Sequence, residues 1–209
     1  MDEEYEYLDN GLIHQINYKK IEYNNNYNSK YDNYGDKRDK LSYLRLGVLL
    51  GALKKNPNKI LDVGYGNGDF LKACLNSIKE CHGIDLSDYP VPTGCTKINN
   101  MFSEKYDVVC FFDSLEHFDD IYAIKELKTD YIFISVPWCH NFSPNWFKSW
   151  YHRRPNEHLW HFNKDSINKF FNEIGYECIY QSNFEDIVRI NKNVLPNENI
   201  LSCLFKKLD

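Results

Sequence analysis

The chain has 209 residues, 43% of them hydrophobic and 26% charged, which is an ordinary globular composition with room for one substantial core and little for a second. Its net charge of −5 argues against a broad phosphate-binding surface, though a local basic patch is compatible with it. Seven cysteines without a C-x-x-C spacing speak against a thiolate zinc site and point to free thiols in a cytoplasmic protein; the acidic start, Met1-Asp-Glu-Glu-Tyr, is no secretory signal, and the longest apolar run, Leu46 to Leu53, is too short to span a bilayer.

Residues 1–35 are rich in Tyr, Asn and Lys, with Tyr18, Tyr23, Tyr27, Tyr31 and Tyr34 at loose helical spacing. They read either as a partly ordered arm, the preferred account of residues 1–15, or as an aromatic lid over a site further on. Asp36 is placed to cap a helix from Lys37 to about Lys54. The stripe Leu41, Leu44, Val48, Leu49, Ala52 and Leu53 would pack that helix on a sheet. Asn56-Pro57-Asn58 then makes a turn. The apolar run Ile60 to Val63 leads into Gly64, Gly66 and Gly68 at alternate positions, and an amphipathic stretch with helical spacing continues through Ile78. Strand, glycine turn and helix open an open α/β sheet, whose ligands lie beyond the carboxyl ends of the strands. His82-Gly-Ile-Asp85 predicts a short buried strand ending in a carboxylate placed to accept hydrogen bonds from ribose hydroxyls.

After Asp85, the breakers Pro90, Pro92 and Gly94 predict a loop where a crossover helix would stand, with a weak strand at Thr96–Ile98. Strong buried strands follow at Tyr106–Phe112 and Tyr131–Val136, separated by a short helix over Asp119–Leu127. Trp138 to Phe162 is irregular and dense in Trp, His and Arg. A helix over Asp165–Ile174, with Gly175 beyond its end, precedes strands at Tyr176–Gln181 and Ile200–Phe205. No repeat or linker divides the chain.

Asp113, Glu116 and His117 fall at the end of the Tyr106 strand, beside the expected cleft. Glu116 and His117 either cap the short helix or supply a general base or part of a metal site that deprotonates a hydroxyl. His158 lies in a second cluster, Arg153-Arg-Pro-Asn-Glu-His158-Leu-Trp-His161.

The order D-x-G-x-G-x-G, with Asp62 inside the strand and Asp69 where a dinucleotide fingerprint needs glycine, resembles motif I of the class I S-adenosylmethionine-dependent methyltransferases. That resemblance implies one domain of Rossmann-like α/β fold over residues 36–209, a seven-stranded mostly parallel sheet closed by a C-terminal antiparallel hairpin, with residues 1–35 as arm or lid. It assigns S-adenosylmethionine to Asp62, Gly64, Gly66, Gly68, Asp85, Leu86 and Asp113, although the usual acidic residue of the adenine strand is replaced by Asn99 and Asn100. Asp113-x-x-Glu116-His117 is similar to the D/E-x-x-E-H of ubiquinone-type O-methyltransferases. Matching the small-RNA terminal ribose methyltransferases adds His158 as a fourth ligand of a divalent metal ion, although metal-free sugar methyltransferases share much of the same pattern. Glu116, His117 and His158 are thus the catalytic candidates. The expected acceptor is a small molecule or sugar, methylated at oxygen; RNA ribose, favoured by Arg153, Arg154 and the tryptophans but opposed by the acidic balance, and a cofactor-binding protein without transfer are the alternatives. The acceptor pocket is expected among Trp138 to Trp160, with Arg154 and Trp160 as its test residues.

Overall fold

Residues 4–21, 37–189 and 198–208 are described by the computed structural model. The proposed cap Asp36 and the tyrosines at 23, 27, 31 and 34 lie outside them. Strands β1 (Tyr5–Tyr7) and β2 (Ile13–Gln15) form an antiparallel hairpin. Leu12, Ile13 and Gln15 are buried in it, so residues 4–15 are built into the molecule, unlike the partly ordered arm expected there. Helix α1 (Lys37–Leu53) leads to β3 (Lys59–Val63), and helix α2 (Asp69–Cys74) to β4 (Glu80–Ile84). Helix α2 ends a turn short of Ile78: Asn76 and Ser77 are weak helix formers, and the amides of Ser77 and Ile78 both close on the Cys74 carbonyl.

The breaker-rich stretch after Asp85 is loop, as expected, and ends in the two-residue edge strand β5 (Thr96–Lys97). Strand β6 (Lys105–Phe112) is followed by two 3-10 turns, Leu115–His117 and Ile121–Glu126, the second within the short helix expected over Asp119–Leu127. Strand β7 (Lys128–Pro137), helix α3 (Pro144–Ser149) and β8 (Trp160–His161) follow, so the segment read as irregular holds a short helix and a strand. Helix α4 (Lys164–Glu173) begins in a capping box. Asn163 accepts the Asp165 and Ser166 amides, and Ser166 accepts the Asn163 amide, an arrangement contributing about 1 kcal/mol. Strand β9 (Tyr176–Ser182), the short helix α5 (Asp186–Arg189) and β10 (Ile200–Lys207) complete the chain.

The main sheet has the order β5-β4-β3-β6-β7-β10-β9. Strands β3 to β7 are parallel; β10 runs antiparallel to both β7 and β9, the closing hairpin that was expected. Successive side chains of a strand face opposite sides, and that period sorts the core. Ile60, Val108, Cys110 and Phe112 pack with Leu46, Leu49, Phe70 and Leu71 on one face. Leu61, Val63, Val109 and Phe111 pack with Ile124, Ile167, Phe170 and Phe171 on the other. Covered on both faces, the strands read as near-continuous apolar runs. A smaller sheet, β1-β2-β8, joins the N-terminal hairpin to the chain beyond β7. No helix among the described residues is long and apolar enough to cross a membrane.

Candidate active site

The parallel strands β3, β4 and β6 end together, and the chain turns away from each end with a different device. After β3, the three alternate glycines all have left-handed backbone, with φ of 79° at Gly64, 55° at Gly66 and 79° at Gly68. At Gly68 the reason is contact within the protein: a Cβ there would lie 2.5 Å from the Pro92 ring. At Gly66 it would meet no protein atom within 4 Å, so the turn presents bare backbone to open space. Asp85, just past β4, fastens the turn. Its Oδ2 accepts the Gly66 amide at 2.8 Å and its Oδ1 the Ser87 amide at 2.7 Å. Each carboxylate oxygen keeps a further lone pair for a ligand hydroxyl. Leu86 is 84% exposed, an apolar side chain beside the turn with no protein surface over it. Asp62 is 3% exposed, and burial pushes its carboxyl up to about 7 against the pull of Arg45.

Beyond β6, Ser114 donates its hydroxyl to the Val63 carbonyl at 2.7 Å, tying this turn to the glycine turn. The 3-10 turn then carries Glu116 inward, where it is 1% exposed. His117 donates Nδ1–H to the Glu157 carbonyl at 2.6 Å, and His158 donates Nδ1–H to the His152 carbonyl at 2.8 Å. A carbonyl only accepts, so both rings are fixed in the tautomer that leaves Nε2 as the acceptor nitrogen. Burial lowers both imidazoles, His158 to about 2, and keeps them neutral. Glu116, His117 and His158 each offer a ligand atom within 4.8 Å of the other two. Both Glu116 carboxylate oxygens lack a hydrogen-bond partner, and burial, followed by Asp113, pushes its carboxyl well above the usual range. A buried carboxylate without a donor is costly until a proton or cation joins it. One acid and two neutral imidazoles are the donor set of a divalent metal, so these residues fit such an ion.

Asp113 does not join them, contrary to the four-ligand expectation. It has left-handed backbone at φ 53°, and its carboxylate is gripped by Arg189 through both terminal nitrogens at 2.8 and 2.9 Å, with Arg45 at 3.4 Å. Burial works against ionisation there, but the two guanidiniums outweigh it and hold the acid well below the usual range. Glu185, 0% exposed, completes the group: it takes two hydrogen bonds from Arg45 at 2.7 and 2.9 Å, one from Arg189 at 2.8 Å and one from the Ser135 hydroxyl at 2.5 Å. Sequence reasoning missed Arg45, Ser135, Glu185 and Arg189. Arg45 sits inside an apolar helical stripe, the one local sign that a charge is buried there.

The aromatic segment also departs from expectation. Trp160 is buried, donates its indole N–H to the Phe118 carbonyl at 2.9 Å and stacks on His14 at 3.9 Å, so it is core packing and no part of an acceptor pocket. Arg154 is half-engaged, 3.2 Å from Glu157 and over the Tyr151 ring.

Known proteins agree with this architecture. Residues 34–181 match the sequence profile of a methyltransferase domain. No curated protein sequence matches the chain. Among solved structures, it is similar to the 1,6-didemethyltoxoflavin-N1-methyltransferase of Burkholderia thailandensis, solved with its acceptor and S-adenosylhomocysteine bound, at 14% identity and a TM-score of 0.59 over 99% of this chain and 100% of that one. Magnesium protoporphyrin IX methyltransferase from Synechocystis, also with S-adenosylhomocysteine, aligns at 14% identity and TM-score 0.56 over 81% of this chain and 83% of that one. The methyltransferase domain of bacterial CtHen1-C aligns at 16% identity and TM-score 0.54 over 81% and 100%. With the profile spanning most of its length and the glycine turn and Asp85 in place, the chain belongs to the class I S-adenosylmethionine-dependent methyltransferases.

Proposed function

We propose that this enzyme methylates a hydroxyl of a small-molecule or sugar acceptor, and that Glu116, His117 and His158 form the centre that takes up the hydroxyl proton. The observation that carries the reading is the buried Glu116 carboxylate without a hydrogen-bond partner, beside two imidazoles locked with Nε2 as acceptor. S-Adenosylmethionine, when bound, supplies an electrophilic methyl group on a sulfonium. Gly66 leaves room for its approach, Asp85 accepts from its ribose, and Leu86 offers an apolar face to its base. Asp62 and Gly64 to Gly68 shape the floor of that site. Asp113 serves there as an organiser, holding Arg45 and Arg189 in place. Glu116, His117 and His158 would hold a divalent cation, which would supply the Lewis acidity that lowers the pKa of a hydroxyl. With the cation holding Glu116 ionised through one oxygen, the other Glu116 oxygen would accept the proton, while His117 and His158 would hold the cation through Nε2. Residues 1–35 act as an arm or lid of the methyltransferase domain spanning 36–209; the Asn156 amide donating to Gln15 at 2.7 Å supports this reading.

RNA ribose is the second reading, and it rests on the resemblance of Glu116, His117 and His158 to the terminal ribose methyltransferase pattern. It is less favoured because Arg153 and Arg154 already face Glu4 and Glu157 at 3.7 and 3.2 Å. The test is methyl transfer to a panel of hydroxyl acceptors with EDTA, with Mg²⁺, Mn²⁺ or Zn²⁺ restored, and with Glu116→Gln. Turnover should fall more than about a hundredfold, roughly 2.7 kcal/mol, in Glu116→Gln, while calorimetric affinity for S-adenosylhomocysteine stays within about twofold. Transfer that ignores both EDTA and Glu116→Gln would refute the proposal.

A further inference from the structure

Cys178 lies on β9, the outermost strand of the main sheet, and Cys203 on its neighbour β10. Gln181 stands directly opposite Cys203, and its Nε2 donates to the Cys203 sulfur at 3.2 Å. In a regular strand, residues three apart face opposite sides of the sheet, so Cys178 would point away from Cys203. It does not, because the register shifts between Leu204 and Phe205: Tyr180 pairs with Leu204, Cys178 pairs with Phe205, and Ile179 between them has no partner. This bulge adds one residue to β9 and returns Cys178 to the face of Gln181 and Cys203, where it packs on the same core as Cys203 and Phe205. There the two thiols hydrogen-bond one another.

The two sulfurs differ in their surroundings. Cys203 is 0% exposed, and burial, followed by its contact with Cys178, pushes its thiol well above the usual range. Cys178 is partly exposed on the edge strand. Its own S–H points to the Tyr180 carbonyl at 3.3 Å, so its lone pairs are left to receive the Cys203 S–H. That contact outweighs burial and, with help from Lys164, holds Cys178 below the usual thiol range. In the other five cysteines burial raises the thiol. A thiolate is the reactive form of cysteine, and an accessible one with a second thiol beside it is the arrangement that oxidants convert reversibly.

We infer that Cys178 and Cys203 form a site for hydrogen peroxide, in which Cys178 takes up the oxygen and Cys203 resolves it to a disulfide. The Cys178 thiolate attacks one peroxide oxygen. An S–O bond forms, the O–O bond breaks, and the departing oxygen leaves as water with the proton that Cys178 gave up. The sulfur is oxidised by two electrons and the peroxide is reduced. Cys203 then loses its proton and attacks the sulfenic sulfur; the S–S bond forms, the S–O bond breaks, and hydroxide departs with that proton as a second water. Strand β9 is paired on one side only, which leaves it room to draw in as the bond closes. The site shares no residue with the methyl-transfer centre, so it stands apart from the acceptor reading above.

Mass spectrometry of the full chain, treated with hydrogen peroxide and then alkylated, tests the inference. Trypsin places the two cysteines in separate peptides, residues 170–189 and 193–206, each with no other cysteine. A disulfide joining these peptides should form at least about tenfold faster than oxidation at any other cysteine, and dithiothreitol should reverse it. In Cys203→Ser, oxidation should stop at a Cys178 sulfenic acid that dimedone captures, while Cys178→Ser should leave Cys203 reduced. Affinity for S-adenosylhomocysteine, retained in both variants, is the sign of an intact fold. Should Cys203→Ser misfold, dimedone added to the wild type with the peroxide should label Cys178 at the expense of the disulfide. Absence of the linked peptides, earlier oxidation of another cysteine, dimedone on Cys203 instead of Cys178, or oxidation of Cys203 in Cys178→Ser overturns the inference.

Discussion

Gly66 and Gly68 share a left-handed backbone but answer to different neighbours, so their variants should part company. A valine at Gly66 meets no protein atom within 4 Å, and its cost to folding is the left-handed strain of roughly 1–2 kcal/mol. Its larger effect should fall on the cofactor, whose proposed path runs over Gly66. Alanine at Gly68 drives a Cβ to 2.5 Å from Pro92 and displaces the loop before β5. Calorimetry with S-adenosylmethionine and urea unfolding of both variants should show Gly66→Val losing more than about tenfold in affinity with modest destabilisation, and Gly68→Ala losing stability first. Unchanged affinity in both Gly66→Val and Asp85→Ala would unseat the cofactor assignment. His161 is a residue-scale test of a different kind. It is fully buried among Tyr5, Phe147 and Trp150, and burial, with help from Arg153, lowers its imidazole from 6.5 to about 3. Between those values the unfolded chain takes up a proton that the folded chain refuses, so stability falls as pH drops below 6.5. From pH 6.5 to 5 this amounts to about 2 kcal/mol. In His161→Phe, urea midpoints at pH 7 and pH 5 should lie closer together than in the wild type; an identical gap would show that His161 does not titrate this way.

At the scale of elements, the group Arg45, Glu185, Arg189 and Asp113 joins α1, α5 and the end of β6. Ser135 of β7 gives its one hydroxyl proton to Glu185 and accepts from the Ser202 hydroxyl of β10 at 3.0 Å, so the network also spans the parallel-to-antiparallel change in the sheet. Removing one partner from such a buried pair strands a charge and costs about 3–5 kcal/mol. Glu185→Gln and Arg45→Met should each show that loss in urea, and the double variant Arg45→Met with Glu185→Leu should lose less than the two together. Strict additivity would mean that the residues do not act as a unit. The acid limb separates this network from His161. Burial raises the Glu185 carboxyl but Arg45 and Arg189 lower it further, so its folded value lies below the usual 4.5. Its contribution is therefore complete above pH 4.5 and lost as pH falls through that lower value, whereas the histidine acts from pH 6.5 downward.

For the whole molecule, the cofactor should be a stabilising partner of one cooperative unit, since β3, β4 and β6 carry both its proposed site and the centre of the core. S-Adenosylhomocysteine at a hundred times its Kd should add about 2.7 kcal/mol. For a chain of this length that is a rise of roughly 5–10 °C in Tm. Asp85→Ala should abolish the shift; a shift of equal size in that variant would place the ligand elsewhere.

Local chemistry determined much of this protein in advance. Apolar runs of β6 and β7, the breakers after Asp85, the glycine turn and the closing antiparallel strands were legible because strand period, backbone conformation and turn preference are properties of a few neighbouring residues. The trio Glu116, His117 and His158 was legible in part, since two of its members are adjacent in the chain and the third needed only a resemblance. What tertiary structure decided was the company each side chain keeps. Asp113, the fourth ligand expected, stands apart from the trio because Arg189, 76 residues away, and Arg45, 68 residues away, hold its carboxylate. Trp160 looked like a pocket residue by composition but lies against His14 of the N-terminal hairpin, 146 positions earlier by their numbering in the chain. A charge or an aromatic ring has the same sequence signature whether it faces solvent, ligand or a distant partner; desolvation and pairing, which set its role, exist only once the chain has folded.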